Sequence, residues 1–131
     1  MDNLVQSVSK HLEFYGYDVE FEEDILKATH TTNIDFWAWP QKGGLLIRAV
    51  VGLAPTAKDD LLGVYAFLNA ANELSIVSRY LLDEEDFMAI EAWFPPYYER
   101  KPFAAFFEQF LEDVKSLPKE LNEAIEKYVL P

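Results

Sequence analysis

The stretch FLNAANELSIVSRYLLDEEDFMAIEAWFPP, residues 67–96, passes from a helical pattern into two runs with strand character. Its first part ends a segment without any charge, Leu61 to Asn72, and holds two amides three apart, Asn69 and Asn72. Ile76 to Leu82 and Phe87 to Phe94 then read as strands. They are joined by Asp83-Glu84-Glu85-Asp86, an acidic turn that repulsion and hydration keep at the surface. A helix feeding a hairpin predicts antiparallel pairing, because a parallel pair needs a long crossover.

On the N-terminal side, Leu4, Val5, Val8, Leu12 and Tyr15 recur at helical spacing, with Asp2 or Asn3 as cap and Gly16 as the stop, predicting a helix over 3–15. Tyr17 to Phe21 alternates apolar and acidic residues, the period of a strand with one wet face. A second strand is harder to place, since Ile25 to Ala28 and Ile34 to Trp39 both qualify, and Pro40 closes it. The stretch Gln41-Lys42-Gly43-Gly44 supplies a hairpin turn, and Leu45 to Leu53 returns as a β-branched run, giving three strands. Ala54-Pro55-Thr56 breaks the sheet, and Thr56 caps a helix that carries Asp59 and Asp60 near its start and runs to about Asn72.

On the C-terminal side, Pro95-Pro96 ends the last strand, and the period changes to 3.6. Phe103, Phe106, Phe107, Phe110, Leu111 and Val114 form one apolar stripe, which needs a sheet to cover. Ser116-Leu117-Pro118 interrupts it, and a final helix follows with Leu121, Ile125 and Tyr128. The expected fold is α+β: a mainly antiparallel five-stranded sheet with helices packed on it, forming one domain over residues 1–131.

Composition narrows the function. A net charge of −12, with basic residues scattered singly, argues against nucleic-acid partners and against an anionic membrane surface. No cysteine is present, so disulfides, thiolate metal sites and cysteine nucleophiles are excluded. No apolar run is long enough to span a bilayer and the N-terminus lacks a signal-peptide pattern, so the expected location is the cytoplasm.

The uncharged helix bears on association. Leu61, Tyr65, Leu68 and Asn72 share one face, while Val64, Phe67 and Ala71 lie opposite or oblique to it. A helix covered on one side only should carry charge on the other, so cover on two sides is expected, with Gly63 allowing a neighbour to approach. A second copy of the chain is the expected cover; the alternative is the C-terminal helices. Trp37 and Trp39 share one face of their strand, opposite Phe36, and Trp93 shares a face with Phe87. Val64, Phe67, Ala71, Trp37, Trp39 and Trp93 are therefore the candidate contacts with a dimer mate or partner, and a second buried aromatic layer is the competing reading of the tryptophans.

Residues 66–95 resemble the central segment of the YbjN family, proposed bacterial sensory transduction regulators, in which a helix ending in Asn-x-x-Asn leads into a β-hairpin. Asn69 and Asn72 match the two amides. The element order is similar to the class I type III secretion chaperones, α-β-β-β-α-β-β-α, which usually pair into dimers. The resemblance implies a non-enzymatic, protein-binding or regulatory role without a cofactor. Apolar binding surface flanked by acidic residues would favour basic partners.

Catalytic patterns are sparse. His11 and His30 are far apart in sequence, and neither belongs to a cluster with ligand spacing. The acidic runs Glu22-Glu23-Asp24 and Asp83 to Asp86 lack the spaced ligands and central glycine of a calcium loop and read as solvated turns. Gly43-Gly44 is not followed by the helix a phosphate loop requires. No catalytic, metal or cofactor-binding residue is assigned. A small-ligand sensor is the alternative function, and an enzyme of unknown reaction the remaining class. Asn69 and Asn72 read as the structural end of a helix.

Overall fold

The computed structural model describes residues 3–84 and 86–131, so Asp2, one expected helix cap, and Glu85 of the acidic turn lie outside the described residues. The chain begins with helix α1, Asn3–Phe14, and continues into strands β1, Asp18–Glu22, β2, Ile25–Thr29, β3, Phe36–Gln41, and β4, Gly44–Gly52. A short helix α2, Pro55–Lys58, precedes α3, Leu61–Leu74. The hairpin β5, Arg79–Glu84, and β6, Phe87–Phe94, leads to α4, Arg100–Glu120, and α5, Asn122–Tyr128.

The sheet has six strands in the order β1-β2-β3-β4-β6-β5, and every neighbouring pair is antiparallel. The α+β class holds, but the strand count rises from five because both candidates for the second strand are strands. Residues 30–35 form the connection between them. There His30 acts as a local staple: its Nδ1 accepts the backbone N–H groups of Thr32 and Asn33 at 3.0 and 2.9 Å. With Nδ1 accepting, the ring proton is on Nε2, which donates to the Tyr15 carbonyl at 3.1 Å.

Two prolines sit inside elements that they were expected to end. Pro40 is the fifth residue of β3 and pairs with Leu45. It is tolerated because β2 pairs with β3 only along Phe36 to Ala38, so at Pro40 the strand is an edge with no second ladder to lose. Pro118 lies in the last turn of α4, which runs to Glu120 with Leu121 as its C-cap rather than stopping at Ser116. Its missing N–H costs one bond near the terminus, and Phe103, Phe107, Phe110 and Leu117 anchor the helix in the core regardless.

The helix after β4 is also divided differently. Thr56 does not cap it; Thr56 belongs to α2 and its hydroxyl donates to the Lys127 carbonyl at 2.5 Å. The cap of α3 is Asp60, whose carboxylate accepts the Gly63 N–H at 3.1 Å and the Tyr128 hydroxyl. The close neighbour permitted by Gly63 is therefore the Tyr128 side chain of the chain's own α5, which a β-carbon at Gly63 would strike. The alternative cover, the C-terminal helices, thus reaches α3 at Gly63, while Leu61, Leu62 and Tyr65 stay exposed.

Strand register sorts the side chains. Leu26, Ala38, Ile47 and Ala92 form one cross-strand row, and Ala49, Ile90 and Tyr80 another. All are buried in one core with Leu4, Val5, Val8 and Leu12 of α1, Val64, Phe67, Leu68 and Ala71 of α3, and the phenylalanines of α4. The helices thus cover one face of the sheet. Val64, Phe67 and Ala71, expected to contact a partner, are instead interior: at 1%, 4% and 0% exposure they pack against this chain's own sheet and helices.

Asn72 holds the edge of the sheet. The helix continues past it to Leu74, and Ser75 is the C-cap, so Asn72 does not end the helix. Its Oδ1 accepts the Tyr80 N–H at 2.7 Å and its Nδ2 donates to the Tyr80 carbonyl at 3.0 Å. The side-chain amide thus imitates a neighbouring strand along edge strand β5, satisfying groups that would otherwise invite a foreign strand. Asn69, by contrast, is exposed and its side chain makes no hydrogen bond among the described residues. Replacing Asn72 with alanine removes both bonds and is expected to cost about 2 kcal/mol in chemical denaturation, whereas Asn69→Ala stays within about 0.5 kcal/mol.

Candidate functional site

The sheet face opposite the helices is built from the alternate residues of the same strands. Across five strands one row runs Lys27, Trp37, Arg48, Glu91, Arg79. The next contains Trp39, Leu46 and Trp93. The period of two set Trp37 and Trp39 against Phe36, and the fold turns Phe36 inward and the tryptophans outward. Trp37 and Trp93 remain 42% and 43% exposed, and Trp39 is half-buried.

Trp39 and Trp93 are held in place. Gln41 at the β3–β4 turn accepts both neighbouring indoles: Trp39 Nε1 donates to its Oε1 at 3.1 Å and Trp93 Nε1 to its carbonyl at 2.8 Å. The turn that places Gln41 is a two-residue loop with Lys42 at φ 53° and Gly43 at φ 79°, the left-handed pair that matches strand twist. Beside the indoles, Glu91 is only 4% exposed and lies between two guanidiniums. Arg79 donates to it through Nε at 3.0 Å and Nη2 at 2.6 Å, and Arg48 approaches at 3.5 Å while bonding Asp83 at 2.5 Å. A buried carboxylate between cations orients them and avoids the cost of an unpaired buried charge.

A groove bounded by Gln41, Leu46, Arg79, Glu91 and Trp93 runs along this face. Rigid aromatic surface next to fixed guanidiniums suits binding, since tryptophan and arginine dominate contact energy at interfaces. A second apolar surface lies at α3, where Leu61, Leu62 and Tyr65 are exposed, Leu62 at 83%. It borders a cleft floored by Leu53, Val64 and Leu82. The uncharged helix is therefore buried on one face and bare on the other.

The histidines sit elsewhere. His11 is 9% exposed between α1 and the start of α4, stacked on Tyr15 at 5.2 Å, with its Nδ1 and the Tyr98 hydroxyl 2.7 Å apart. Burial lowers its pKa, with the Arg100 charge acting the same way and Glu108 opposing. The unfolded chain thus takes up this proton first as pH falls. Stability is expected to be flat above about pH 7 and to fall as pH drops through 6.5 toward the lower folded value. Urea titrations at two pH values check this, and His11→Asn should flatten the difference.

Sequence reasoning missed Asp113. This carboxylate is 2% exposed and accepts the N–H groups of Ile76, Val77 and Ser78 at 3.2, 2.9 and 2.9 Å, together with Gln109 Nε2 at 2.9 Å. A signal existed: Asp113 falls three residues after Phe110 and four before Leu117, on the apolar stripe of α4, where a lone acid requires a partner. Among the described residues no group of three or more histidines and acids is placed to hold a metal ion. No described helix is long and apolar enough to cross a membrane.

The architecture defines a class: a two-layer α+β domain with one sheet face covered by helices and the other open, aromatic and charged. Its fold is YbjN-like. Over 97% of this chain and 96% of the other, it is similar to YbjN from E. coli, a protein proposed to be a transcription regulator, with a TM-score of 0.74 and 19% sequence identity. It is also similar to an uncharacterised protein from Methanothermobacter thermautotrophicus, with a TM-score of 0.64 and 8% identity over 90% of this chain and 96% of that one. No family profile and no curated protein matches the sequence.

Proposed function

We propose that the chain is a non-enzymatic regulatory domain that acts by binding another protein, and that it works as a homodimer. The observation that supports this reading most is the open sheet face, where Gln41 fixes Trp39 and Trp93, with Trp37 exposed in the same row as the Arg48–Glu91–Arg79 bridge. Ordered aromatic surface costs little conformational entropy when a partner covers it. The regulatory assignment follows the likeness to YbjN, which at this identity is one of fold. The dimer contact is assigned to Leu61, Leu62 and Tyr65 rather than to the interior face of α3.

Affinity capture from the native cell tests the first part. A partner retained by the native chain and lost with Trp37→Ala/Trp93→Ala is expected, and recovery of the same proteins by both forms defeats the reading. Sedimentation tests the second: a dimer at micromolar concentration should become a monomer on Leu62→Glu. A strict monomer in the native chain would overturn the dimer.

A further inference from the structure

A cavity of about 440 Å³ opens between α1 and the first turn of α4, away from both surfaces above. We propose that it is a binding site for a small organic anion with a flat apolar body, of the aromatic carboxylate class. The inference is independent of the protein-binding reading.

The walls are aromatic. Phe14 at the end of α1, Tyr15 just after it and Tyr98 before α4 line the cavity, and His11 lines it with its ring stacked on Tyr15. Flat rings set this way accept another planar ring by stacking. The volume lies within the roughly 300–1,000 Å³ of small-molecule pockets, so a bare inorganic ion would leave most of it empty.

The polar groups select an anion. Lys10 and Arg100 line the cavity, and neither has an ion-pair partner among the described residues. Arg100 is poised over the Phe14 ring at 5.9 Å, which leaves its planar fork of donors free to pair with a carboxylate. Its position is also unfavourable: Arg100 and Lys101 open α4, where the N-cap residue Glu99 makes no capping bond and the first turn contains no acid, so two cations sit at the positive end of the dipole. A bound anion relieves that repulsion. His11 contributes a further polar atom, since Nδ1 is engaged with Tyr98 while Nε2 has no hydrogen-bond partner among the described residues. Glu99, the N-cap residue of α4, and Glu108, which acts electrostatically on His11 and Tyr15, are the acids an anion bound here is held against.

The chain carries a net charge of −12, which repels anions at long range, so binding depends on these local cations. The test titrates 2-naphthoate into the full chain and follows backbone amides by NMR. Saturable shifts confined to residues 7–15 and 98–104 are expected. Uncharged 2-naphthamide should bind at least about tenfold more weakly, and so should 2-naphthoate with Lys10→Ala/Arg100→Ala, as loss of charge-assisted bonds requires. The double variant should melt at an unchanged or slightly raised temperature, because it removes a cation from a positive helix end. The absence of saturation, shifts centred on the tryptophans or on α3, or equal binding of the amide or to the variant would each overturn the site. The variant leaves Trp37, Trp93 and Leu62 intact, so its failure is separable from failure of the protein-binding reading.

Discussion

Replacing Asp113 with alanine is expected to lower stability by about 3–5 kcal/mol, because three backbone donors, part-buried at Ile76 and Val77 and buried at Ser78, lose a charged acceptor at once. The carboxylate of α4 gathers three consecutive N–H groups of the loop between α3 and β5, so it fixes where the edge strand begins. Asp113→Asn should recover little, since an amide offers one acceptor oxygen and turns its other end, a donor, toward donors. Thermal melting should fall by about 10–20 °C in a chain of this size. Hydrogen exchange should accelerate first at Ile76 to Ser78. A loss below about 1 kcal/mol would show that water replaces the carboxylate adequately.

Phe107→Ala is expected to cost a similar amount, about 3–5 kcal/mol, by a different mechanism. Its ring is fully buried and meets Tyr15, Tyr17, Phe36, Phe103 and Phe110, so it joins the α1–β1 connection, the sheet and α4. Deletion leaves a cavity that five surrounding rings cannot easily collapse to fill. Near-ultraviolet circular dichroism should lose amplitude along with the melting temperature. Phe107→Leu should restore much of the loss, since it refills most of the volume, whereas in Asp113 variants only a carboxylate can restore it. That contrast separates packing from charge as the source of the two effects.

Much of the fold was legible along the chain. The alternation Tyr17 to Phe21 marked β1, and Leu45 to Leu53 and Phe87 to Phe94 marked β4 and β6. The stripe from Phe103 to Val114 marked the helix that covers them. These readings succeeded because a side-chain period of 2 or 3.6 is set by local backbone geometry. The failures have the opposite character. Pro40 and Pro118 look like terminators in isolation, yet one lies beyond its partner strand and the other in a helix already anchored by its phenylalanines. Asp60 rather than Thr56 caps α3 because Tyr128, distant in sequence, completes its bonds.

The candidate site divides in the same way. The sequence by itself determined that Trp37 and Trp39 oppose Phe36, that residues 61–72 carry no charge, and that thiol chemistry is absent. It could not determine which face of the strand or helix is covered, because periodicity gives relative sidedness and not its direction. Tertiary structure decided that Phe36 points into the core and the tryptophans away from it, and that Val64, Phe67 and Ala71 are interior. It also decided what Asn72 does, turning an expected helix end into a clamp on the Tyr80 backbone. The physical reason is that burial and hydrogen bonding depend on groups brought together from distant parts of the chain, whereas periodicity depends only on neighbours.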